Sequence, residues 1–197
     1  MDMNQWLHLP TIVQCMELLD RHDVPSHIVQ HSMRVAQVGQ HIADALCKKG
    51  LDLNPALVVA GALLHDIAKM QGILKGVDHA KAAGALLRGY GYEKVAEIAE
   101  RHVAIDEAME RSVVLTEVHV VNYADKRVRH TEIVGLSERF MDIMRRYGQT
   151  EERRIRIGIT LKKAQVLEAR IFSFLDFQPA SLETLNNISP VFKELEP

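Results

Sequence analysis

Cysteine is nearly missing from this sequence: Cys15 and Cys47 are the two thiols in 197 residues, and they form no CxxC pair. So sparse a set supports no disulfide framework and predicts reduced, buried thiols in a cytoplasmic protein. Charge of one sign is missing too. The formal net charge is -2 and the sequence pI is about 6.6, so no global basic field draws in nucleic acid or an anionic membrane. The longest apolar stretch, Ala56 to Leu64, is too short to span a bilayer. The first residues, with Asp2, Asn4 and Gln5, lack the basic patch and apolar run of a signal peptide. Alternating apolar and polar positions, the mark of a half-buried strand, are absent at any useful length, and there is no internal repeat.

What is present is helical spacing and histidine. A 47% hydrophobic, 25% charged composition suits a chain with a sizeable core. Ile12, Val13, Met16 and Leu19 open a first helix after Pro10. Ile28, Val35, Val38, Ile42 and Leu46 carry a second to a stop at Gly50. Asn54-Pro55 caps a third, Ala56 to Lys69, which is apolar nearly all round and therefore central. Asp78 caps a small-residue helix over Ala80 to Arg88, and Gly89-Tyr90-Gly91 turns the chain into Glu93 to His102. A looser stretch runs to Ser112. Helices then cover Thr116 to Val128, Leu136 to Tyr147, and a long charged segment from Thr150 towards Phe174. Pro179 and Pro190 predict a tail over the last residues, packed on the body or frayed. The fold class read from this pattern is all-α.

Ten histidines prompt a search for metal ligands. The most informative segment is Ala62-Leu63-Leu64-His65-Asp66-Ile67-Ala68-Lys69, where an imidazole-carboxylate pair directly follows an apolar helix. A buried aspartate without a partner costs several kcal/mol, and a divalent ion satisfies both side chains at once. Neutral nitrogen with a hard anionic oxygen suits Mn, Fe or another first-row ion, with Mg also admissible. His27 and His31 stand four apart, but no glutamate occupies the HExxH position between them, so a zinc-protease reading fails.

His31-Ser32-Met33-Arg34-Val35-Ala36, then Leu63-Leu64-His65-Asp66-Ile67-Ala68-Lys69, then Tyr123-Ala124-Asp125-Lys126 together resemble the HD superfamily of metal-dependent phosphohydrolases. The match covers about residues 25 to 130 in the order H…HD…D. The resemblance implies a compact helical bundle over 1–197: a core at about 25–130, a helical extension at about 131–177 and a tail at 178–197. It further implies that His31, His65, Asp66 and Asp125 coordinate one metal, which activates water against a phosphate ester or anhydride. His79 and His102 extend the pattern to H…HD…H…H…D, in which a second ion binds and the HD aspartate bridges. That six-ligand pattern brings the chain closer to bacterial HD-type dinucleoside tetraphosphate hydrolases than to four-ligand nucleotidases. It also admits di-iron oxygenases of the same fold, and a non-catalytic nucleotide sensor is a third alternative. Beside Asp66, Lys69 and Arg34 are the catalytic candidates, placed to meet a substrate phosphate. Lys126 and Arg127 read as surface or rim charges, because neighbouring helical positions face different ways. The expected partner is a small phosphate substrate, most simply a nucleotide, with no nucleic acid and no membrane. Ile155, Ile159, Val166, Ile171 and Phe174 would pack the last long helix on the body or on a second copy in a homodimer.

Overall fold

A computed structural model describes residues 8–190. Asp2, Asn4 and Gln5, and the part of the expected tail at 191–197, lie outside the described residues. Among the described residues there are ten α-helices, one two-stranded hairpin and a 3-10 helix, so the chain is all-α.

The capping residues set the helix starts. Thr11 and Gln14 form a reciprocal capping box on α1 (Ile12–Arg21). α2 (Ser26–Lys48) follows Pro25 and buries Ile28, Val35, Val38, Ile42 and Leu46 along one stripe. Past its end, Gly50 takes φ +86, a left-handed backbone that glycine adopts without a Cβ penalty. Asn54 accepts from the amide of Leu57 to start α3 (Pro55–Leu64), and eight of its ten residues are buried. α4 (Lys69–Lys75) ends in left-handed Gly76. Asp78 caps α5 (His79–Gly89), which leads to α6 (Glu93–Arg101), the short α7 (Glu107–Arg111) and α8 (Glu117–Lys126). β1 (Val128–Arg129) pairs antiparallel with β2 (Glu132–Ile133). α9 (Leu136–Tyr147), α10 (Glu151–Phe172) and the 3-10 helix Pro179–Asn187 complete the described chain.

α3 is the axis of the bundle: α1, α2, α6 and α8 all pack on it. Small residues let the helices come close. A Cβ on Gly61 of α3 would sit 2.7 Å from Ile98 of α6, and one on Gly84 of α5 would sit 2.2 Å from the Glu100 side chain of α6. Pro55–Lys75 is long and apolar enough to cross a membrane by composition, but 67% of its most apolar window is buried inside the protein.

Two expectations are corrected, and one left open is decided. The helix expected from Ala56 to Lys69 is broken after Leu64, where the amides of Ile67 and Lys69 bond the carbonyls three residues back, 3.1 and 2.9 Å away. These tighter turns end the regular α-helix at His65-Asp66. A hairpin too short to leave an alternating signature interrupts the helices at 128–133. The described part of the tail is packed rather than frayed, since Leu182 of the 3-10 helix is fully buried.

Candidate metal centre

His65 and His102 are placed by the same device. Each stands at the C-terminal cap of its helix, α3 and α6 respectively. Each donates its Nδ1 hydrogen to the carbonyl three residues earlier, Ala62 and Ala99, at 2.7 Å. A carbonyl only accepts, so the proton is on Nδ1 and each neutral ring turns the lone pair of Nε2 inward. His31, in the second turn of α2, is held from a distance: its Nδ1 donates to the carbonyl of His130 at 2.9 Å. His130 lies in the hairpin turn at φ +56, a strained backbone for a residue with a side chain. His79 opens α5 beside its cap Asp78, and Asp125 lies near the end of α8.

These six side chains converge. His31 Nε2 is 3.1 Å from Asp125 Oδ1, and His65 Nε2 is 3.8 Å from the same oxygen. Asp66 divides its carboxylate: Oδ2 lies 3.5 Å from His65 Nε2, whereas Oδ1 lies 3.4 Å from the Nε2 atoms of both His79 and His102. Those two nitrogens are 3.3 Å apart. Two trios, His31 with His65 and Asp125, and His65 with Asp66 and His102, each bring their ligand atoms within 4.8 Å of one another.

The electrostatics of the cluster suit a cation. His65 is fully buried, and its Nε2 has no hydrogen-bond partner, which is costly for a polar atom unless something binds it. Burial works against ionisation of Asp66, but the surrounding imidazoles of His65, His102 and His79 hold its carboxyl well below the usual range. Asp125 is partly buried, and the imidazoles of His31 and His65 beside it hold its carboxyl down likewise. For His65, burial is outweighed by Asp66 and Asp125, which raise its imidazole. Burial pushes His102 the other way and keeps it neutral. Two ionised carboxylates among imidazole lone pairs form a donor set that fits a divalent first-row ion.

The other candidates separate. Lys69 stands at the edge of the cluster, its Nζ 3.2 Å from both oxygens of Asp66. Arg34 is not with them. Its guanidinium donates to the carbonyls of Thr131, Leu185 and Ile188 and to Gln37, tying α2 to the hairpin and the 3-10 helix. Lys126 and Arg127, expected at the surface, are both buried. Lys126 donates to the carbonyls of His102 and Asn122 and to the Asn122 amide oxygen, and burial pushes its ammonium down to about 8. Asn122 in turn donates to the carbonyls of Arg101 and His102. Together they close the end of α6 at the ligand residue, a role the sequence reading missed; a polar pair four apart in an apolar helix is the signal for it. Arg127 bonds Val134, Tyr123, Glu168 and Pro179.

A cavity of about 580 Å³ opens onto the cluster, reaching His31, Asp66, Lys69 and His79. Its wall includes Gly72 and Ile73 of α4, with Val77 and Val103. Its opposite wall was not expected: Arg139, Ile143, Arg146 and Tyr147 of α9.

Fold and cluster define an all-α protein with a centre able to hold a divalent metal ion. Residues 28–129, just over half of the chain, match the family model of the HD domain, and the chain belongs to that family, whose members bind divalent metals. An uncharacterized protein of Methanocaldococcus jannaschii is 29% identical over 62% of this chain and 79% of its own length. A tRNA (cytidine(56)-2'-O)-methyltransferase of Thermoplasma volcanium is 32% identical over 54% of this chain but 30% of its own length. The same-named enzyme of Picrophilus torridus is 27% identical over 66% and 40%. This chain therefore spans less than half of either methyltransferase. No solved structure matches it.

Proposed function

We propose that the chain is a metal-dependent phosphohydrolase with a two-ion centre, cleaving a phosphate ester or anhydride of a nucleotide or similar small molecule. The observation that carries this reading is the divided carboxylate of Asp66, with one oxygen towards His65 and the other towards His79 and His102. In it, His31, His65 and Asp125 would hold one ion and His79 and His102 the other, with Asp66 available to both. Bound ions supply Lewis acidity and a water nucleophile at neutral pH. The protein's part is positional. The carbonyls of Ala62, Ala99 and His130 fix three imidazoles as Nε2 donors. Lys69, on the mouth side of Asp66, adds a positive charge where a phosphoryl group gains negative charge. The 580 Å³ cavity is in the size range of small-molecule sites.

The deciding experiment is metal analysis per chain, followed by an activity panel with and without oxygen. The panel includes nucleotides, dinucleoside polyphosphates and, because two relatives are named as tRNA-modifying enzymes, nucleoside 2'- and 3'-phosphates. Hydrolysis under anaerobic conditions with Mn²⁺ is the expected result. Turnover that requires iron and consumes oxygen would replace this reading with an oxygenase, and tight nucleotide binding without turnover would replace it with a sensor.

A further inference from the structure

The wall opposite the ligand residues is one face of α9. Arg139, Ile143, Arg146 and Tyr147 follow the i, i+4, i+7, i+8 spacing of a single helical stripe, and all four line the cavity that reaches Asp66. This helix lies beyond residues 28–129 that match the family, so the family pattern says nothing about it. Ile73 and Val77 line the same cavity. Ile73 is 66%, Val77 45% and Tyr147 57% exposed. Large apolar side chains left in water on two walls of one cavity favour a ligand with a flat apolar part.

The same face carries cations. Arg139 and Arg146 share one carboxylate, Asp142, at 3.4 and 3.0 Å, which leaves one positive charge uncompensated in the trio. Arg146 also contacts the His130 ring, and it is 43% exposed at its side chain, open to an incoming anion. A guanidinium so placed recognises phosphate through paired N–H donors. Lys69 adds a further cation on the side of Asp66.

We infer that α9 is the substrate-selecting wall of this site: Arg146, with Arg139 behind it, takes a second phosphate of the substrate, and Tyr147 stacks on a nucleobase held against Ile73 and Val77. The ligand class is a nucleotide with at least two phosphates, rather than a simple monoester. The inference rests on the hydrolase reading for the position of the reacting phosphate, but recognition by α9 requires neither metal nor turnover.

Calorimetric titrations with Mn²⁺-loaded and chelator-treated protein separate the two. The probes are adenosine 5'-(α,β-methylene)diphosphate, which cannot be cleaved between its phosphates, adenosine 5'-monophosphate, and methylenediphosphonate. Wild-type protein is expected to bind the nucleoside diphosphate analogue about tenfold more tightly than the monophosphate, as one charge-assisted contact allows. Arg146→Gln should erase that preference while Mn²⁺ affinity stays unchanged. Tyr147→Ala should weaken both nucleotides about tenfold, in line with one base-aromatic stack, without affecting methylenediphosphonate, and Tyr147→Phe should restore them. Equal binding of the mono- and diphosphate by the wild type, or a preference that survives Arg146→Gln, overturns the inference. If chelator-treated protein keeps the preference and no Mn²⁺ binds, the hydrolase reading fails and the role of α9 stands. If Mn²⁺ binds and the preference is absent, the reverse holds.

Discussion

Buried polar groups in two regions of this molecule end differently. Around Asp66 they converge and stay incomplete: His65 Nε2 is enclosed without a partner, and two His Nε2 atoms face one carboxylate oxygen. Where the hairpin and the 3-10 helix dock, two arginines are saturated. Arg127 is enclosed by the Val134 and Pro179 carbonyls, the Tyr123 hydroxyl and Glu168, and Arg34 by three carbonyls and Gln37. The saturated arginines hold segments together, whereas the unpartnered Nε2 of His65, set among carboxylates and imidazoles, is suited to a metal ion. Arg34 and His31 are three residues apart on one helix, so proximity in sequence does not distinguish the two kinds.

The largest effect that would break this contrast is at Asp66. Asp66→Ala removes the oxygens that face both histidine sets, and it should abolish stoichiometric metal binding while circular dichroism stays helical. Full metal content in that variant would sink the assignment. Arg127→Ala should do the opposite. It removes the donor to the Val134 and Pro179 carbonyls and the ion pair with Glu168 and should cost about 2–3 kcal/mol in urea unfolding, with metal stoichiometry intact in the folded fraction.

A smaller effect is expected from pH. Asp66 and Asp125 raise His65's imidazole, so a proton competes with the ion for Nε2 from above the ordinary histidine value downward. Metal affinity should therefore weaken by about tenfold per pH unit once pH falls below that raised value. Titrations of Mn²⁺ between mildly alkaline and mildly acidic buffer would show it, and a flat profile would mean that His65 does not coordinate. Smallest is Arg34→Lys. It keeps the charge but loses the fork that reaches Thr131, Leu185 and Ile188, and should lower stability by about 1–2 kcal/mol with kcat unchanged. A fall in kcat at constant stability would return Arg34 to the catalytic site.

Most of the helices were legible, because their limits are local chemistry. Thr11, Asn54, Asp78 and Thr150 satisfy first-turn amides with their own side chains, and the α9 bounds Leu136–Tyr147 follow from its periodicity and Gly148. The candidate ligands were legible as residue types in order. Several features were not. The break after Leu64 depends on turns that carry no side-chain signature, and the fates of Lys126 and Arg127 depend on what packs over α8.

The sequence by itself therefore determined the all-α class, the helix starts and the set of histidines and aspartates available to a metal, since each rests on contacts within a few residues. Only the tertiary structure decided how those groups share one carboxylate, which arginines are enclosed and which wall faces the cluster. Those depend on helices far apart in the chain, brought close where Gly61 and Gly84 leave no room for a side chain. The divided Asp66 carboxylate is the product of that packing.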